Sequence, residues 1–311
     1  MGETKLYREI AEDISGDLGK YPALEDYQKG LNELLTMNLN ELDLNELERL
    51  FFQKAILFQQ AFGINHVENF NQRTFYRVRM NIGTGEDPGL IRTHSYPPAA
   101  ICKTNGRANL KGKSVFYCSD HSSTSIIEAR PQPGQVGYLS QWEGNTQRDV
   151  KYGICLPRDL RAENSFSYMA GDIHAFVKEN STKLGGEKAE HFTFFFKFIA
   201  ERFVNEKYPY PLTSWLGNEM LYGAHWKDFI LYPSVANSAY ACNMAFHPNS
   251  ADTLLRFKKV LEFKMISING TMIEMTDTRI GELSNSEMKW RRPNKGELSE
   301  MMPNGTYAKK E

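Results

Sequence analysis

Only four cysteines occur in the 311 residues, Cys102, Cys118, Cys155 and Cys242. No two form a C-x-x-C pair, and none joins a histidine cluster, so a zinc site and a disulfide framework are both excluded as expectations. Charge of one sign is also lacking: 37 Lys and Arg stand against 38 Asp and Glu. A dedicated nucleic-acid binder carries a basic excess, so nucleic acid is not expected as a partner of this chain by itself. No stretch approaches the roughly 18 apolar residues of a membrane span. Met1 to Glu12 is too charged for a secretory leader, which lacks charge over its 7–15-residue apolar core. These absences point to the cytoplasm, reduced thiols and no membrane partner.

Proline is missing between Ala23 and Asp87, so little interrupts that region. Residues 1–70 read as a helical extension, in which Leu44, Leu47, Leu50 and Phe51 fall near helical spacing, with Asn40 or Asp43 as the cap. At Thr74 the pattern changes. Thr74–Met80 (TFYRVRM) alternates and is rich in aromatic and β-branched residues, which predicts a strand. Ser114–Ser119, Gln135–Trp142, Tyr152–Leu156 and Asp228–Tyr232 read as further strands. Ser123–Ala129 reads as a short helix stopped by Pro131 and Pro133. The clearest helix is Glu187–Lys207, where Phe192, Phe195, Phe196, Ile199 and Phe203 make one apolar face; that stripe is core rather than a cofactor box. A second helix covers Leu212–Tyr222. Arg256–Ile266 offers one or two elements, and from Gly281 the chain turns polar, which predicts a loosely attached tail. The division expected is a helical extension over 1–70, one domain over 71–275 and a polar tail over 276–311.

Familiar catalytic motifs fail one by one. Gly106 to Ser114 imitates a phosphate-binding loop, but its glycines stand one residue too far apart and a strand follows where a helix must open. No G-x-S-x-G elbow and no H-E-x-x-H occurs. What remains is Gly106-Arg107-Ala108-Asn109 before Gly112, then Tyr117 on a strand and Glu128 on a short helix. Far downstream come Tyr232-Pro233-Ser234-Val235 and Asn243. With the F-Y-R-V of Phe75–Val78, the S-Y-P-P of Ser95–Pro98 and the L-T-x-W of Leu212–Trp215, this order resembles the RES-domain family, named for an Arg, a Glu and a Ser. The resemblance spans about Thr74 to Pro248. Ala108 stands where that family commonly has an aromatic residue.

The resemblance implies an α+β fold: an ADP-ribosyltransferase-like, split antiparallel β-core with surrounding helices, to which this chain adds its N-terminal helical extension. It also implies NAD as substrate. Departure of nicotinamide builds positive charge on the ribose, as in glycoside cleavage. A carboxylate preset beside that charge stabilises it, and Glu128 is the candidate; taken alone it reads as a surface carboxylate. Arg107 suits the pyrophosphate, because a guanidinium donates paired hydrogen bonds and stays charged. Tyr117 offers a ring and a hydroxyl to the nicotinamide, or packs in the strand. Ser234 supports Glu128 or a ribose hydroxyl, or ends a turn, and Asn243 belongs to the same cleft. Arg77 needs an anionic partner, either phosphate or a structural carboxylate, and Arg79 shares its face.

Three functions follow. The first is an NAD-consuming enzyme that cleaves the nicotinamide–ribose bond with water or phosphate as acceptor, as in the toxins of toxin–antitoxin pairs. The second is ADP-ribosyl transfer to a macromolecule. The third is a non-catalytic interaction module. The toxin branch implies a helix-turn-helix antitoxin as partner. A homo-oligomer stays open, and no metal is expected.

Overall fold

The phenylalanine stripe becomes a 19-residue helix, and every member of it is at most 2% exposed. The computed structural model describes residues 22–55, 62–179, 186–223, 226–270, 272–285, 287–302 and 305–307. In chain order its elements are α1 (Leu24–Thr36), α2 (Leu44–Lys54), β1 (Phe62–Asn65), α3 (Val67–Asn71), β2 (Thr74–Met80), β3 (Phe116–Ser119) and α4 (Ser122–Ala129). There follow β4 (Val136–Gly144), β5 (Val150–Ile154), α5 (Ser167–Glu179), α6 (Glu187–Asn205), α7 (Pro211–Tyr222), β6 (Phe229–Pro233) and β7 (Cys242–Phe246). The chain closes with α8 (Pro248–Leu254), β8 (Leu255–Asn269), β9 (Met272–Ser284), β10 (Glu287–Arg291), α9 (Lys295–Met301) and β11 (Gly305–Tyr307). The expected α+β class is what the chain adopts. Among the described residues no helix is long and apolar enough to cross a membrane.

Contacts divide the chain into two units, one of residues 1–64, 99–113 and 151–233, the other of 65–98, 114–150 and 234–311. In the first, β5 and β6 pair in parallel, Tyr152 opposite Phe229 and Ile154 opposite Leu231. The N-terminal helices are covered within this unit. Tyr27, Leu31 and Leu34 of α1 are buried, and Tyr27 meets His191 of α6 with ring centroids 4.9 Å apart. Asp43 closes α2 with a reciprocal capping box to Glu46, and Phe51 packs on Trp215 of α7 at 4.9 Å. The apolar faces of residues 24–54 therefore lie on α6 and α7. Helix α7 begins on the buried carboxylate of Glu206, which accepts from the amides of Leu212 at 3.2 Å and Thr213 at 2.6 Å and from Arg202. An anion at a helix N-terminus satisfies amides that the helix itself leaves unpaired.

The second unit is built on antiparallel pairings in the order β7-β3-β2-β4-β8-β9-β10, with β11 parallel to β9. Alternation gives this sheet two apolar faces. One carries Phe75, Phe116, Trp142 and Phe246, whose rings meet edge to face. The other carries Leu139, Leu261, Phe263 and Met265 under Ile126 of α4. The tail expected to hang loosely departs from that expectation. Strands β9 and β10 pair antiparallel, α9 starts with an Asn294–Glu297 capping box, and Met301 and Met302 are buried in the cluster beneath α4. In the outer strand, β10, half-buried Met288 and Trp290 alternate with exposed Glu287, Lys289 and Arg291.

Candidate active site

Strand β3 turns at Asp120 and His121 into α4, whose first five residues are buried. The Ser125 hydroxyl donates to the carbonyl of Tyr76 at 2.7 Å and fastens the helix to β2. Arg130 ends it in the left-handed region, φ 48°, and Pro131 cannot continue it. Glu128 therefore sits in the last turn of a helix anchored on both sides of the carboxylate.

Its Oε1 accepts two short hydrogen bonds, from Ser234 Oγ at 2.6 Å and from Asn243 Nδ2 at 2.6 Å. Oε2 has no partner among the described residues. Ser234 is fully buried just after β6, with its amide on the carbonyl of Ala241 at 3.0 Å. Asn243 lies on β7 opposite Ser119 of β3, and Tyr117 lies opposite Ala245. Directly opposed residues of an antiparallel pair share a face, and residues two apart share it too. Tyr117 and Asn243 consequently stand on one face, the face on which Asn243 reaches Glu128. Four of the residues chosen from sequence thus converge: Glu128, Ser234 and Asn243 by direct bonds, Tyr117 by register.

Arg77 is not among them. Its guanidinium stands over the Phe116 ring at 5.4 Å, on the opposite face of the sheet from Tyr117. There it donates to the carbonyls of Ser95 at 3.0 Å and Tyr117 at 2.8 Å. Enclosure, and secondarily the charge of Arg79, lowers its pKa to about 10. The anion expected for this strand belongs to Arg79 instead, which grips the Glu86 carboxylate with bonds of 2.6 and 3.0 Å. A cavity of about 870 Å³ opens on that same face, lined by Arg79, Glu86, Trp142 and Phe257 among others. None of the four convergent residues lines it.

Arg107 belongs to the other unit. One of its nitrogens, Nη1, donates to the carbonyls of Phe203 at 2.6 Å and Glu206 at 3.2 Å, at the C-terminal end of α6, where carbonyls lack partners. Its Cζ lies 4.6 Å from the Tyr210 ring centroid. Ala108 is fully buried, and the Cα of Gly217 abuts its main chain. Gly106 and Asn109 form a β-bridge, and the strand β3 follows, as expected when the phosphate-loop reading was set aside.

The family model for the RES domain matches residues 90–264, more than half of the chain. The chain belongs to the RES-domain family. No curated protein and no solved structure matches it. The RES match takes in Arg107, Tyr117, Glu128, Ser234 and Asn243, and leaves out Arg77 and Arg79. Sequence reasoning missed Thr124, Ser125 and Asn237, small polar residues that hold α4 and the loop after β6. The one available signal was Thr124, placed one helical turn before Glu128.

Proposed function

We propose that this RES-domain protein consumes NAD by cleaving the bond between nicotinamide and ribose. The observation that carries this reading is the Glu128 carboxylate, held through one oxygen by Ser234 and by Asn243, which shares a sheet face with Tyr117. As nicotinamide departs, C1′ of the ribose gains positive charge. A carboxylate fixed beforehand stabilises that charge without reorganising during the reaction. The two donors are neutral, so they orient Glu128 without cancelling its charge. Tyr117 supplies a flat surface and a hydroxyl on the same face, suited to the nicotinamide side. Arg107, with one nitrogen bound to carbonyls, keeps further N–H groups for the pyrophosphate; that role is a proposal of its own. Membership of the family connects the chain with NAD-related toxins, and a small antitoxin as partner is part of the same proposal.

Incubation of the purified full chain with NAD, with nicotinamide followed by chromatography, tests the reading. Release is expected, and Glu128→Gln, which keeps size and loses charge, is expected to slow it by about a hundredfold or more. Runs with and without inorganic phosphate, and with labelled NAD over protein acceptors, separate hydrolysis, phosphorolysis and transfer. No nicotinamide above the buffer control, or a Glu128→Gln rate within a few-fold of wild type, sinks the proposal.

A further inference from the structure

The loop between Ser234 and Ala241 is wound tightly for a segment without glycine. Ser238 and Ala239 are both left-handed, with φ of 46° and 60°. A residue with a Cβ adopts that conformation only when its surroundings enforce it, and such outliers gather at functional sites. Three main-chain bonds enforce it here: Ala239 N–H to Ser234 O at 2.7 Å, Ser238 N–H to Val235 O at 3.2 Å and Tyr240 N–H to Asn237 O at 2.9 Å. At the centre is Asn237, buried at 7% exposure.

Asn237 makes two further bonds of different kinds. Its backbone N–H donates to Ser234 Oγ at 3.2 Å. Its side-chain Nδ2 donates to Thr124 Oγ1 at 2.7 Å. Thr124 is fully buried and lies four residues before Glu128 on α4, so both point from the same side of that helix. A serine hydroxyl has one proton to give. With the Asn237 amide occupying an acceptor position on Oγ, the Ser234 proton is directed at Glu128 Oε1, 2.6 Å away. Asn237 thereby grips the donor to the carboxylate with its backbone and the helix bearing the carboxylate with its side chain.

We propose that Asn237 is a positioning residue for Glu128, acting through Ser234 and Thr124 to hold the carboxylate in its reactive orientation. The assignment rests on the NAD-cleaving reading for its kinetic consequences, while its geometric content stands apart from that reading. A loop anchor of purely structural value lowers the melting temperature and the yield of folded protein. A positioning residue lowers kcat per folded molecule with little change in KM, because the lost orientation matters in the transition state.

The test is a set of variants of the full chain: Asn237→Ala, Thr124→Val, Ser234→Ala, and Asn237→Ala with each of the other two. For Asn237→Ala, kcat is expected to fall about tenfold, a modest part of what misplacement by an ångström costs, with KM within twofold. Thr124→Val, which keeps shape and removes the hydroxyl, should match it and remain measurable if Asn237→Ala folds poorly. Groups acting as a unit are non-additive, so Asn237→Ala should add little in either background. A kcat within twofold of wild type, or an undiminished Asn237→Ala effect in the Ser234→Ala background, overturns the proposal. A crystal structure of Asn237→Ala, or of Thr124→Val, gives an arm independent of activity. Glu128 parting from the Ser234 hydroxyl supports the assignment, and an unchanged Ser234–Glu128 bond overturns it. A wild-type chain that releases no nicotinamide counts against the NAD reading alone, and the crystallographic arm then decides the positioning role.

Discussion

Replacing Gly217 by alanine sets two physical effects of opposite sign against each other. Gly217 lies inside α7, where Gly→Ala alone stabilises a helix by about 1 kcal/mol. A Cβ at this position, however, falls 2.6 Å from the Cα, 2.7 Å from the O and 2.8 Å from the C of Ala108, against an ordinary contact that begins near 3.4 Å. All three obstacles are main-chain atoms, so no rotamer change relieves them. Either α7 or the Gly106–Asn109 bridge must move by nearly an ångström. Overpacking of this kind costs roughly 1–3 kcal/mol, and contact with three backbone atoms places it in the upper part of that range. The net loss is then about 1–2 kcal/mol, or a fall of roughly 2–8 °C in Tm. Scanning fluorimetry reads it directly. The displaced segment carries Arg107, so under the pyrophosphate proposal calorimetric titration should also show NAD affinity reduced by about tenfold, a fraction of what an ångström of misplacement can cost. Ala108→Gly in the same chain should not restore stability, because the obstructing atoms remain. A Tm that rises by a few degrees, as helix propensity alone dictates, would refute the reasoning.

Three further outcomes are expected. Glu206→Ala removes the anion shared by Arg202 and the first amides of α7; it should destabilise by roughly 3–5 kcal/mol, as breaking a buried pair does, and an urea midpoint near wild type would contradict this. Arg291 holds the Glu297 carboxyl at a pKa of about 2, below its ordinary 4.5. A depressed carboxylate stabilises above its unfolded pKa and loses that contribution as pH falls through the folded value, so Arg291→Ala should be less stable than wild type at pH 7 and converge with it between pH 4.5 and pH 2. A stability gap that stays constant across that window would remove the pair from the account. Burial pushes the Cys118 and Cys155 thiols up, whereas Cys102 is only half-buried; a thiol reagent should titrate Cys102 quickly and the others only on denaturation, and fast native labelling of Cys118 would contradict that packing.

What could be read from the sequence was what repeats within a few residues. The spacing from Phe192 to Phe203 foretold α6, and the alternation of Thr74–Met80 foretold β2, because periods of 3.6 and 2 are local properties. Strand β10 escaped because its period-2 signal is short: only half-buried Met288 and Trp290 alternate with exposed Glu287, Lys289 and Arg291, inside a segment that is otherwise polar. The buried Met301 and Met302 escaped for a related reason, two apolar residues being too few to define a face.

The same distinction separates the site residues that converge from Arg77, while Arg107 lies in the other unit. Arg77 and Arg79 were correctly placed on one face by the period of two. Which face Tyr117 would share with them depended on the single pairing of Tyr76 with Ser119, a relation between residues 43 positions apart in numbering. That register sets Tyr117 with Tyr76 and against Arg77, and so sends Arg77 to the carbonyls of Ser95 and Tyr117 instead of to the face of Glu128. Ser234 and Asn243 stand 106 and 115 residues from Glu128, whose carboxylate they share. No local pattern could have joined them; only the order of motifs shared with the RES family did. Asn237 had no such motif to mark it. Its importance lies in two hydrogen bonds of which one belongs to the backbone, and a backbone amide carries no signature in the identity of its residue.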